Sequence, residues 1–76
     1  MEIKQRFKAM LRQYTGKAPE EITDDMRFRE DLGMSSLDLM TLLGDLEDEF
    51  DIEFEESDQV HISTVEEAVA LLGRYL

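Results

Sequence analysis

The chain has no cysteine, so neither disulfides nor thiolate metal sites are available to hold it together. It has no run of about 18 apolar residues and no basic segment leading into an apolar one, so no membrane span or signal peptide is read. A cytoplasmic protein is the expectation. One histidine, His61, is present; a lone imidazole before Ile62 reads as a surface or helix-end residue rather than a catalyst or ligand. With no glycine-rich phosphate loop and no cluster of metal ligands, no catalytic group is assembled, and a non-enzyme is expected. The acidic run from Asp45 to Asp58 lacks the spaced oxygens and central glycine of a calcium loop, so no metal site is assigned. Basic residues are also scarce: none occurs between Leu32 and Gly73.

That last gap makes the charge lopsided. Residues 1–31 carry seven basic and seven acidic side chains, whereas residues 32–76 carry twelve acids against Arg74, which accounts for the whole net charge of −11. Such a field repels nucleic acid and anionic membranes and attracts basic protein surfaces. An acidic helix is most often just a solvated face, but confinement to one half of the chain points to a docking surface. The 76 residues form one domain, 1–76, and the 42% hydrophobic content must supply its core unaided, because a chain this short buries only about 60% of its unfolded surface.

Ile3, Phe7, Met10, Leu11 and Tyr14 recur at helical spacing, which predicts an amphipathic first helix over 2–15, ending at Gly16. Pro19 breaks any continuation. A long loop follows from Lys17 to Ser35, with Ile22, Met26, Phe28 and Leu32 as its core anchors. Gly33 suits a backbone turn leading into the next helix. Leu39, Leu42, Leu43, Leu46 and Phe50 form the cleanest stripe in the chain and predict a second helix over 36–50, with Leu37 and Met40 beside the stripe. Residues 51–54 read as extended, with Ile52 or Phe54 turned inward, and a short third helix is expected around 57–61. Two overlapping capping boxes, Ser63 with Glu66 and Thr64 with Glu67, predict a last helix. It places Val65, Ala68, Val69 and Leu72 in the core, with Leu71, Tyr75 and Leu76 beside them. The fold class is therefore all-α: a small four-helix bundle of three main helices, a short third helix and a long loop between the first two main helices.

Ser35-Ser36-Leu37-Asp38 also fits a capping box, with Ser35 as N-cap and Asp38 at N3. Ser36 then falls at the first helical position with its hydroxyl toward solvent, where exposed amides and the helix dipole favour a phosphate. Around this pair, the run Asp31-Leu32-Gly33-Met34-Ser35-Ser36-Leu37 resembles the Asp-Leu-Gly-x-Asp-Ser-Leu signature of acyl carrier proteins. Leu42-x-x-x-Leu46-Glu47-Asp48-x-Phe50 resembles that family's second helix, and Ile62-x-Thr64-Val65 resembles the start of its last. The resemblance spans nearly the whole chain.

It implies a carrier. A phosphopantetheinyl transferase, using Mg²⁺ and coenzyme A, would join a 4′-phosphopantetheine arm to Ser36, and the arm's thiol would hold acyl groups as thioesters. Met34, Ser35 and Leu37 would flank the arm's base. Asp38, Met40, Glu47, Asp48 and Glu56 would meet basic docking patches on acyl-loading and synthase enzymes of fatty acid, polyketide or related biosynthesis. Phe28, Leu42, Leu46, Phe54, Ile62, Ala68 and Leu71 would line an acyl cavity. Beginning at Met1 and ending with the last helix favours a discrete protein; separately, a monomer with no nucleic-acid or membrane partner is expected. The sequence departs from the family pattern at several places. Ser35 stands for the usual Asp, Arg29 for an apolar residue, Thr41 for a frequent acid, Gly44 for an apolar contact residue, and Phe54 for a smaller aliphatic one. The rival reading is an acidic docking module that keeps the fold and is never modified.

Crowding twelve acids against one basic residue in residues 32–76 destabilises the compact state by self-repulsion, which mobile ions screen. Added salt or millimolar Mg²⁺ should therefore raise the melting temperature at neutral pH, as followed by circular dichroism. A flat response would contradict this reading of the charge.

Overall fold

The computed structural model describes residues 3–59 and 62–76, with the side chain of Gln59 left aside. The described residues form four α-helices: α1 (Ile3–Thr15), α2 (Ser36–Phe50), α3 (Glu56–Gln59) and α4 (Val65–Tyr75). They contain no strand, only an isolated antiparallel bridge between Arg27 and Thr64. The three long helices follow the apolar periodicity of the sequence. The expected start of α1 at residue 2, and the expected extension of α3 through residues 60 and 61 including His61, lie outside the described residues.

Each helix end has a local cause. α1 stops where Gly16 takes φ of 73°, a left-handed conformation that costs glycine little. Pro19 does more than break a helix, since it opens a short 3₁₀ turn, Pro19–Glu21, which periodicity alone did not predict. α2 ends at Asp51, which adopts the left-handed conformation, while Ile52 N–H donates to the Glu47 carbonyl at 3.0 Å. Residues 52–55 then run without helix, burying Phe54 and half-burying Ile52.

The core gathers Phe7 and Leu11 of α1, Leu42, Leu43 and Leu46 of α2, and Val65, Ala68, Leu71 and Leu72 of α4 around Phe28. Phe7 and Phe28 meet edge to face with ring centroids 6.3 Å apart, a favoured aromatic geometry. Ile22, Phe28 and Leu32 from the long loop are buried as expected, and Met26 packs partly against them. Leu76, expected beside the core, is instead 57% exposed, because it lies past the last turn of α4.

What orders the long loop is a set of backbone bonds to the start of α4. Phe28 N–H donates to the Ser63 carbonyl at 3.0 Å, Val65 N–H to Met26 at 3.0 Å, and Glu66 N–H to Asp24 at 2.9 Å. The last two satisfy donors that a helix start leaves without intrahelical partners. Asp24 is in turn gripped by Lys4 at 2.9 Å and Lys8 at 3.1 Å, and hydrogen bonds from both ammonium groups lower its carboxyl pKa.

Of the two overlapping capping boxes, only Thr64 with Glu67 forms. Glu67 N–H donates to Thr64 Oγ1 at 3.2 Å, and the Thr64 amide donates back to Glu67 Oε1 at 3.0 Å. Ser63 does not pair with Glu66; its amide and hydroxyl donate to the same Glu67 oxygen, at 3.0 and 2.6 Å. The Ser63 hydroxyl first, then the Ser63 and Thr64 amides, hold the Glu67 carboxyl down at about 2 against an ordinary 4.5. A carboxyl lowered on folding stabilises the fold above its unfolded pKa and loses that contribution as pH falls. The stability advantage of the wild type over Glu67→Gln should hold above pH 4.5 and shrink as pH falls from 4.5 toward 2. Denaturant melts across that range measure it, and a pH-independent difference would contradict the assignment.

Candidate functional site

The segment before α2 alternates sharply between inside and outside. Asp31 accepts the Arg27 amide at 2.8 Å, and Asp31 and Leu32 amides return to the Arg27 carbonyl at 2.9 and 3.1 Å. Leu32 is buried, Gly33 turns the chain with φ of 68°, and Met34 is buried again at 3% exposure. Met34 N–H donates to the Phe28 carbonyl at 2.8 Å, which locks the turn to the loop. Two hydrophobic anchors straddling a left-handed glycine therefore leave Ser35 and Ser36 exposed at the surface.

Ser35 is the N-cap. Its Oγ accepts the Asp38 amide at 3.1 Å, and Asp38 Oδ2 accepts the Ser35 amide at 3.1 Å. This is the capping box that the sequence pattern predicts, and it accounts for one serine by helix stability alone. Ser36 is left with a different status. It occupies the first position of α2, is exposed, and its hydroxyl makes no hydrogen bond with the described residues. Nor do the amides of Ser36 and Leu37 find a partner among the described residues.

The contrast with α4 is informative. There the first three amides are all satisfied, two by carbonyls of the loop and one by Thr64 Oγ1. At α2 only the Asp38 amide is satisfied, so two donors and the positive end of the helix dipole face solvent beside a free hydroxyl. That donor set fits a phosphate ester on Ser36.

Beside Ser35 and Ser36 opens a cleft of about 210 Å³, walled by Leu39, Met40, Leu43 and Ile62 and carrying Arg29. A second cleft of about 230 Å³ lies between α3 and α4, lined by Asp58, Ile62, Glu67, Ala70, Leu71 and Arg74. Ile62 borders both. Tyr75 closes the α3–α4 side: its hydroxyl donates to Asp58, its ring meets Phe54 edge to face at 5.2 Å, and the Glu55 amide donates to it at 3.2 Å.

Of the residues expected at the base of the arm, Ser35 and Leu37 are exposed beside Ser36, with Leu37 at 72%. Met34 is the correction. Its side chain belongs to the core and leaves no surface there, because the Gly33 turn sends residues 32 and 34 inward together. Of the residues expected to line an acyl cavity, Ile62 borders both clefts and Leu71 the second. Phe28, Leu42, Leu46, Phe54 and Ala68 line neither cleft and pack in the core. The wall beside Ser36 joins Ile62 and Met40 with Leu39 and Leu43, which the α2 periodicity had marked only as core.

Among the acids expected to meet partners, Asp48 and Glu56 are exposed. Asp38 is committed to the cap, and Glu47 Oε2 accepts the Phe54 amide at 2.7 Å. Met40 is 65% exposed on α2.

Comparison with known proteins agrees with this geometry. A family model described as the phosphopantetheine attachment site matches residues 5–72. An acyl carrier protein of an Exiguobacterium species is 44% identical over 57 residues, spanning 75% of this chain and 72% of that protein. Among solved structures, a Mycobacterium tuberculosis protein described as an acyl carrier protein superposes with a TM-score of 0.86 at 29% identity, covering 96% of this chain and 97% of the other. The acyl carrier protein of Thermotoga maritima gives 0.78 at 26% identity, covering 92% and 81%. A serine-capped helix start, an exposed hydroxyl next to that cap and the match along nearly the whole length lead to one conclusion. The chain belongs to the acyl carrier protein family, whose cofactor is a covalently attached 4′-phosphopantetheine.

Proposed function

We propose that Ser36 is the residue that receives the phosphopantetheine arm, and that the chain presents arm-bound acyl groups to partner enzymes without catalysing their conversion itself. The observation that carries this is the division of labour between adjacent hydroxyls: Ser35 is consumed by the cap, whereas Ser36 is exposed and unpaired among the described residues. Bound there, the group supplies a thiol on a long tether, the one nucleophilic sulfur that a chain without cysteine lacks.

In the attachment reaction the Ser36 oxygen bonds to the pantetheine-bearing phosphorus of coenzyme A. The pyrophosphate bond breaks, the nucleotide leaves as the 3′,5′-bisphosphate, and the hydroxyl proton passes to a base of the transferase. No basic side chain among the described residues bonds to Ser36, and its activation is assigned to the enzyme. The role of this chain is geometric. Asp31 and Gly33 shape the turn, the Ser35–Asp38 exchange fixes the first turn of α2, and the unpaired Ser36 and Leu37 amides meet the incoming phosphate.

The exposed face of α2, with Leu37 and Met40 at its start and Asp48 at its end, is the docking side for the transferase and for acyl-loading and synthase enzymes. Glu56 of α3 adds a further exposed acid. Basic patches on those partners complement the acidic field of residues 32–76, and the chain acts as a cytoplasmic monomer.

Incubation with coenzyme A, Mg²⁺ and a broad-specificity transferase should add one arm, read by intact mass. Ser36→Ala should abolish the addition, and Ser35→Ala should retain it. Mass unchanged with several transferases would instead support an unmodified acidic docking module, and loss of modification only in Ser35→Ala would move the attachment point.

A further inference from the structure

We infer that the Arg29 guanidinium is the counter-ion of the arm's phosphodiester, seating the first stretch of the pantetheine in the cleft beside Ser36; this rests on Ser36 being the attachment point. Arg29 lines the same cleft as Ser35 and Ser36 and is the only basic residue among the described ones that does so. Its backbone is held in the turn that begins at Arg27, where the amides of residues 31, 32 and 34 close onto the carbonyls of Arg27 and Phe28. The base of the side chain is thus fixed relative to the start of α2.

The charge inventory leaves three basic residues without an ion pair among the described ones, Arg12, Lys17 and Arg29, and of these only Arg29 lines the cleft beside Ser36. Among the eight basic residues of a chain with net charge −11, Lys4, Arg6, Lys8, Arg27 and Arg74 all sit in ion pairs. Arg29 is followed in sequence by Glu30 and Asp31, yet both of those carboxylates engage Arg27. Arg29 makes no ion pair or hydrogen bond with the described residues. A cation that leaves its nearest carboxylates to a neighbour and instead lines the cleft beside the proposed attachment serine is placed for an anion that arrives later.

The chemistry of the cleft matches the first groups of the arm in order. A guanidinium offers a planar pair of donors to phosphate oxygens, which an ammonium does not. Next to the phosphate, pantetheine carries a quaternary carbon with two methyl groups, and the cleft wall beyond Arg29 is apolar, formed by Leu39, Leu43 and Ile62. Ser35 adds no charge here, so no carboxylate at that position competes with the phosphate for the guanidinium. Arg29 is exposed, so the pair is screened by salt and restrains the root of the tether reversibly. It acts as a positioning residue and takes no part in bond formation.

The test uses full-length chain, labelled with ¹³C and ¹⁵N and loaded with an unlabelled arm from coenzyme A. Loading at low salt should shift the Arg29 Nε–H resonance while leaving that of Arg12 unmoved, and added salt should reverse the shift. Isotope-filtered cross-peaks should connect the arm's geminal methyls to the methyls of Leu39, Leu43 and Ile62. Arg29→Gln should lose those cross-peaks, and Arg29→Lys should restore only part of them. Because Arg29 bonds nothing among the described residues, equal melting temperatures of the unloaded variants confirm an intact fold. A loaded protein whose Arg29 resonance does not move, or whose cross-peaks survive in Arg29→Gln, overturns the inference alone. Failure to load at all contradicts the assignment of Ser36 and removes the basis for the inference with it.

Discussion

The reciprocal exchange between Ser35 and Asp38 is the contact on which the functional reading depends. It fixes where α2 begins, and with it which of two neighbouring serines is used up and which is left over. Replacing an N-cap serine by alanine typically costs about 1 kcal/mol, a modest energy beside that of the core. Its consequence here is positional rather than energetic. A start one residue later would put Ser36 into the cap and its hydroxyl onto a backbone amide. The start is held from behind as well, because Leu32 and Met34 are buried on either side of the Gly33 turn and cannot slide without leaving the core.

The two helix starts that meet the long loop make opposite use of the same physics. At α4 the donors that every helix start leaves over are satisfied by Asp24, Met26 and Thr64, and the result is a sealed junction between loop and helix. At α2 the loop turns away at Gly33 before it can do this, and two donors have no partner among the described residues. One helix start therefore serves as a structural joint, while the other keeps donors open for the phosphate proposed on Ser36. Charge is divided in the same spirit: Arg27 is spent on Glu30 and Asp31, which frees the next arginine along the loop.

Much of this was legible in the sequence because it is local. The 3.6-residue stripe of Leu39, Leu42, Leu43, Leu46 and Phe50 reports α2 to the residue, and the Ser-Ser-Leu-Asp pattern reports its cap. The signature around Ser36 reports the family. What was not legible depends on contacts distant along the chain. The bonds from Asp24, Met26 and Phe28 to residues 63–66 leave no side-chain trace, since they run between backbones. Ser63 and Thr64 offered two equivalent boxes, and the choice of Thr64 follows from where the loop docks. Met34 reads as a surface neighbour of Ser36 until the left-handed turn at Gly33 is known. The cleft wall was equally hidden, because Leu39 and Leu43 carry the same apolar code whether they face the core or its opening. Arg29 was visible as a departure from the family pattern, but not as the basic residue of the cleft.

The central claim is that the cap isolates one hydroxyl for modification. Tandem mass spectrometry of the protein isolated from its own cells, with fragment ions resolving each bond from Met34 to Leu37, tests it most directly. The account predicts phosphopantetheine on Ser36 and an unmodified Ser35. A chain without the arm, or one bearing it on Ser35, would contradict the account.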